Sequence, residues 1–135
     1  MEAHREASRE LLDAVGLQSL AEVTASTLAY GDIKRLELAL ALANQPRLLL
    51  MDEPTAGMAP AERGAMMALV RELARSRQMG VLFTEHSMDV VFGHADRIVV
   101  MAQGKLIAQG TPDQVRDDPA ARAAYLGETL TIDTP

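Results

Sequence analysis

Two acids close a continuous apolar run in Leu48-Leu49-Leu50-Met51-Asp52-Glu53-Pro54. Four unbroken apolar residues after Pro46 predict a strand buried on both faces, as in a parallel sheet. Ligands of open α/β sheets collect at the C-terminal ends of such strands. Phosphoryl transfer needs an acid to hold Mg²⁺, often through water, and a group to orient the attacking water. Asp52 suits the first role and Glu53 the second; the alternative is an acidic turn after a buried strand. A second apolar run, Val81-Leu82-Phe83, ends in Thr84-Glu85-His86, at the same sheet edge if the two strands are parallel. His86 can contact a terminal phosphate or hold the water in register, against the alternative of a structural histidine. A third segment, Leu28-Ala29-Tyr30-Gly31-Asp32, precedes a helix. There Gly31 permits close backbone approach and a helix N-terminus offers free N–H donors to an anion. The alternative is a loop in which Asp32 simply caps the helix.

The elements that carry these residues follow from periodicity and punctuation. Ala7, Leu11 and Val15 at spacing four predict a helix over 2–15, closed by Gly16 in a left-handed conformation. Residues 17–30 read as a loop. A helix starting near Asp32 places Ile33, Leu36 and Leu40 on one face and ends around Ala43-Asn44, before Pro46. Pro54 biases Glu53 away from the helical region, so the strand gives way to a turn. Pro60 suits the first turn of a third helix, with Met66, Leu69, Val70 and Leu73 as its buried stripe. Ser87 can cap a short helix carrying Met88, Val91 and Phe92. Ile98–Met101 and Leu106–Ala108 flank Ala102-Gln103-Gly104-Lys105, a hairpin signature. Thr111-Pro112-Asp113-Gln114 is a capping box with proline at the first helical position. Asp118-Pro119 starts a last short helix ending near Leu126, and the tail from Thr129 to Pro135 is expected to fray. This order of elements predicts an α/β protein.

Composition removes several classes of function. The chain has 135 residues, long enough for one domain with a real core. A hydrophobic fraction of 48% excludes a disordered chain. With 13 basic and 19 acidic residues the net charge is −6, which argues against a dedicated nucleic-acid binder. There is no cysteine, hence no disulfide, thiolate zinc site or thiol nucleophile. No apolar run approaches ~18 residues, and the N-terminus is too polar for a signal peptide, so a cytoplasmic compartment is expected. Aromatic residues make up only 3%, so methionines, leucines, isoleucines and valines must fill the core.

In this order and spacing the segments resemble the C-terminal half of an ABC-type ATPase domain. Leu28-Ala29-Tyr30-Gly31-Asp32 looks like a variant of the signature motif, normally Leu-Ser-Gly-Gly-Gln. Leu48 to Glu53 looks like Walker B with its catalytic glutamate, Thr55 to Pro60 is similar to the D-loop, and His86 falls at the switch histidine. Tyr30 in the signature, the Gly110-Thr111-Pro112 turn and the closing Ala124-Tyr125-Leu126-Gly127-Glu128 resemble the branched-chain amino acid importers. The resemblance implies a partial P-loop NTPase fold, a mostly parallel sheet with flanking helices and a C-terminal hairpin, lacking the Walker A strand. It divides the chain into a helical signature part (1–45), a Walker B to C-terminal part (46–128) and a tail (129–135). Glu53 and His86 are implied as catalytic, Asp52 as the Mg²⁺ ligand, and Leu28, Ala29, Tyr30, Gly31, Asp32 and Asp52 as contacts to ATP.

The resemblance also implies partners and departures. Two ATPase subunits sandwich ATP, as homodimer or heterodimer, and work through transmembrane permease subunits at the inner face of the cell membrane, with no nucleic acid involved. No Gly-x-x-x-x-Gly-Lys-Ser/Thr occurs, so the phosphate cradle is missing, and the chain alone is expected to bind ATP weakly or not at all. Ala59 replaces the D-loop aspartate, and Ala29 and Asp32 replace the signature serine and glutamine. Self-association through open strand edges is expected. Two rival functions are a non-catalytic dimerisation module and an ABC-type DNA-repair ATPase; the latter normally carries long heptad segments, which this chain lacks.

Overall fold

The computed structural model of the chain describes residues 1–130, and side chains as far as Tyr125. It divides into two compact units, the first ending at His86 and the second starting at Ser87.

In the first unit, helix α1 (Glu2–Ala14) ends where the sequence says it should. Gly16 takes a φ of 75°, its N–H donating to the Asp13 carbonyl, while the Leu17 N–H donates to the Leu12 carbonyl at 2.7 Å. That pair of bonds satisfies carbonyls the helix would leave orphaned and turns Leu17 into the core. The expected loop over 17–30 holds two short 3₁₀ turns, Gln18–Leu20 and Ala25–Thr27.

Helix α2 (Tyr30–Leu42) starts two residues earlier than expected. Ala29, extended at φ −64° and ψ 156°, takes the N-cap position, and its carbonyl accepts the Ile33 N–H at 3.0 Å. Asp32 is therefore not the cap. It lies in the first turn, where a carboxylate is favoured by the helix dipole, 3.9 Å from Arg35.

Strand β1 (Leu48–Asp52) pairs in parallel with β2 (Gly80–Thr84), Leu48 opposite Gly80 and Asp52 opposite Thr84. Between them runs helix α3 (Pro60–Ser76), which buries Met66, Met67, Val70 and Leu73. Ala59 has no side-chain acceptor for the helix N–H groups, but its own N–H donates to Glu62 Oε2 at 3.1 Å, half of a capping box. Leu49 is buried with Leu38, Ala39 and Leu42 of α2 and with Met66, Val70 and Leu73 of α3; Met51 and Val81 pack against the same cluster. The expectation that these strands are buried on both faces is corrected here. Leu48, Leu50 and Leu82 are 57%, 67% and 61% exposed. The side chains alternate across the sheet, and in this unit the helices cover only the face that carries Leu49. With few aromatic residues available, methionines complete the core: Met58, Met66, Met67 and Met79 are all buried.

The second unit contains α4 (Met88–His94), the antiparallel hairpin β3 (Ile98–Ala102) and β4 (Lys105–Gly110), α5 (Pro112–Asp117) and α6 (Pro119–Leu130). Ser87 takes the N-cap position of α4, its hydroxyl donating to the Asp89 carboxylate. Gln103 and Gly104 form the hairpin turn with φ of 50° and 75°, the pairing of positive angles that matches strand twist. The expected capping box opens α5, with Gln114 N–H on Thr111 Oγ1 at 3.3 Å and Thr111 N–H on Gln114 Oε1 at 3.0 Å. Ile98, Ala108, Val115 and Ala121 form a small core, with Phe92 and Tyr125 edge to face at 6.2 Å. Helix α6 continues past the Leu126 end expected for it; of the tail, residues 131–135 lie outside the described residues.

Burial decides which leucines matter. Leu42 is fully buried, so Leu42→Ala is expected to destabilise the chain by about 2–5 kcal/mol. Leu50→Ala, at an exposed position, is expected to stay within about 0.5 kcal/mol. Urea denaturation at low protein concentration measures both; equal losses would mean that the face carrying Leu50 is covered.

Candidate active site

The parallel register puts the Asp52 carboxylate beside the last residue of β2. Thr84 Oγ1 donates to Asp52 Oδ1 at 2.5 Å. The next N–H, that of Glu53, is shared between the Thr84 carbonyl at 3.0 Å and its Oγ1 at 3.2 Å. Glu53 takes a φ of 46°, in the left-handed region. The proline that follows makes the right-handed helical region unfavourable, and the two acceptors on Thr84 draw the N–H into a conformation that costs a non-glycine residue roughly 1–2 kcal/mol. The Glu53 carboxylate then meets His86, Nε2 to Oε1 at 2.8 Å. The pair is open to solvent, with 84% of the His86 side chain exposed, so it contributes little stability.

Behind Glu53 the chain folds into a turn. The Ala56 N–H donates to the Glu53 carbonyl and the Met58 N–H to the Thr55 carbonyl, both at 3.1 Å. Thr55 is buried, and Glu85 Oε1 accepts both its N–H, at 3.0 Å, and its hydroxyl. Tyr30, the first residue of α2, donates its hydroxyl to the Ala56 carbonyl at 2.9 Å. Gly57 sits under that ring at φ 78°, where a Cβ would lie 3.4 Å from the Tyr30 oxygen. A side chain there would be strained by the backbone angle as well as tight against the ring.

Asp52, Glu53 and His86 are thus brought together as the sequence implied. Leu28 and Ala29 precede α2, and Tyr30, Gly31 and Asp32 form its first residues, tied to the turn behind Glu53 by the Tyr30 hydroxyl. No protein atom lies within 4 Å of a Cβ placed at Gly31, the second residue of α2. Sequence reasoning assigned no role to Thr84, Glu85 or Thr55. The signal for the first two was present, since Thr84 and Glu85 join an apolar run to His86, and a parallel register brings such residues level with Asp52 and Glu53.

Among the described residues no group of three or more acids, histidines or cysteines could hold a metal ion. A closed zinc or calcium site needs more protein ligands than this. Mg²⁺ is different: it keeps its waters and takes one or two carboxylates together with phosphate oxygens. Asp52, with one oxygen engaged by Thr84, fits that requirement.

Residues 2–56 match the family model described as ABC transporter, and residues 105–130 match that of the branched-chain amino acid ATP-binding cassette transporters. The chain is 44% identical over 117 residues to the high-affinity branched-chain amino acid transport ATP-binding protein BraF of Pseudomonas aeruginosa. It is equally similar to LivG of Escherichia coli, the protein so described there. In each case the match covers 87% of this chain and 46% of the relative, so the chain spans about half the length of the curated relatives it matches. Among solved structures, an ATP-binding cassette of an ABC transporter in its ADP conformation superposes with a TM-score of 0.81 at 32% identity, covering 90% of this chain and 49% of that one.

The left-handed angle at Glu53 separates its chemistry from its contribution to stability. Glu53→Gly relieves the steric cost but adds flexibility to the unfolded chain, and is expected to be about 0.5–1 kcal/mol more stable than Glu53→Gln. Thermal denaturation compares the two; a glycine variant no more stable than the glutamine variant would remove the strain from Glu53.

Proposed function

The chain belongs to the ABC transporter family of ATP-binding proteins, and on that premise we propose that it supplies the C-terminal catalytic portion of an importer's ATP-binding subunit. The solute class is branched-chain amino acids, by similarity to the curated relatives and to the family model matched at residues 105–130. The observation that carries this reading is the placement of Glu53, on a constrained turn at the end of β1 and in contact with His86.

Glu53 orients the attacking water and takes its proton; His86 Nε2 donates to the terminal phosphate once it leaves the Glu53 carboxylate. Asp52 would hold Mg²⁺, whose chemistry there is to neutralise charge on the phosphoryl group being transferred. Leu28, Ala29, Tyr30, Gly31 and Asp32 present the start of α2 to ATP bound by a second ATPase subunit. Arg35, 3.9 Å from Asp32, offsets part of the charge that Asp32 brings to that surface. Permease subunits place the assembly at the inner face of the membrane; in this chain no helix of the described residues is long and apolar enough to cross one.

The chain also associates with itself in this proposal. Among the described residues β2 pairs only with β1, and β3 only with β4. Two-stranded sheets are marginal alone, and Leu48, Leu50 and Leu82 stand exposed on one of them, Val99, Met101 and Leu106 on the other. Open edges recruit further strands, here along Val81–Thr84 or Ile98–Met101.

The catalytic reading is tested by joining the chain behind the N-terminal half of the Pseudomonas aeruginosa relative, which gives a subunit of about that relative's length. Glu53→Gln is expected to lower ATP turnover by about 10²–10⁴ while ATP binding persists, and His86→Ala to lower it as well. Turnover equal to the parent in either variant would remove that residue from the mechanism. Light scattering on the chain by itself is expected to find a dimer or larger assembly; a stable monomer at micromolar concentration would refute association through the strand edges.

A further inference from the structure

We propose that Glu85 is a positioning residue that holds the turn behind Glu53, and so sets the direction of the Glu53 carboxylate; the proposal rests on reading Glu53 as the water-activating group. Three consecutive residues at the end of β2 each grip a different part of the segment from Asp52 to Thr55. Thr84 binds the Asp52 carboxylate and the Glu53 N–H. His86 binds the Glu53 carboxylate. Glu85, between them, takes both donors of Thr55 on a single oxygen.

The Glu85 contact differs from its neighbours in burial. Thr55 is 2% exposed, whereas His86 and Glu53 face solvent. Among the described residues every buried side-chain nitrogen or oxygen has a partner, and for the Thr55 hydroxyl that partner is Glu85. Without the carboxylate, a buried N–H and a buried O–H lose their acceptor and water cannot readily replace it, which is the costly way to lose a hydrogen bond. Thr55 lies two residues beyond Glu53, and the Ala56 N–H closes back on the Glu53 carbonyl. Loosening Thr55 therefore releases the peptide that keeps Glu53 left-handed. Tyr30 holds the same turn from the other side, through the Ala56 carbonyl, so the turn is fixed at two adjacent residues by two different elements. Glu85 reaches Thr55 rather than the reacting groups, and acts through the turn.

Amide hydrogen exchange on the whole chain reads the tether itself. In Glu85→Ala the Thr55 amide is expected to exchange about tenfold faster or more, while Glu85→Gln, which keeps an acceptor oxygen, stays close to the parent. Unchanged exchange in Glu85→Ala would overturn the tether. In the joined subunit, Glu85→Ala is expected to lower kcat by about tenfold or more at unchanged KM for ATP, with Glu85→Gln recovering most of the rate. Full turnover in Glu85→Ala, or a rise in KM alone, would overturn the positioning role. If Glu85→Ala does not fold, Thr55→Val removes the hydroxyl donor alone and is expected to change kcat and exchange in the same direction by less; no change in either overturns the proposal. Turnover left unchanged by Glu53→Gln would count against the role of Glu53, while amide exchange would still decide the tether.

Discussion

Asp52 stands opposite Thr84 because two five-residue strands pair in parallel from Leu48 and Gly80 onward, and the rest of the site is built outward from that register. A slip of one residue would carry Leu49 and Met51 to the open face of the sheet and lift the apolar side chains out of the core. The register is therefore held by Leu49, Met51 and Val81 against α2 and α3, well away from any reacting group. Packing sets the alignment, and the polar contacts at the strand ends inherit it.

The division of labour that results is consistent along the chain. Stability comes from the cluster that joins α1, α2, β1 and α3 around Leu17, Leu38, Leu42, Val70 and Leu73. The groups proposed to do chemistry lie at its rim and contribute little to it. Glu53 is held in an unfavourable backbone conformation and its partner His86 is exposed. Such strain persists only where neighbouring contacts over-determine it, and here those contacts are the Thr84 acceptors, the Thr55–Glu85 bonds and the Tyr30 hydroxyl.

Much of this arrangement is legible in the sequence, for reasons that differ from residue to residue. The Gly16 stop, the Thr111-Pro112 start and the Gln103-Gly104 turn are local events, decided by backbone angles and caps within a few residues, and all three are found. Asp52, Glu53 and His86 are legible because they follow apolar runs, and their proposed roles come from the likeness to known ATPases. The start of α2 is missed because Asp32 is a good cap by type, yet the N-cap position is taken by Ala29, a residue with no capping side chain, whose carbonyl accepts the Ile33 N–H. Burial on both faces is inferred from four successive apolar residues, a pattern that reports what a strand can tolerate and not what the described elements cover. The Glu85–Thr55 contact joins residues thirty apart in the chain, and spacing alone carries no sign of it.

A core filled by methionines rather than by aromatic rings has a chemical consequence. Met58, Met66, Met67 and Met79 are sealed in the first unit, and thioethers there adapt to gaps with little penalty. The same sulfurs become polar and stereogenic on oxidation and no longer suit an apolar interior. Peroxide reaches them only when the unit opens, whereas Met1 and Met101 are exposed. The chain thus carries an internal clock of its own breathing: the lag between sulfoxide formation at the outer and the inner methionines measures how often the core lets solvent in.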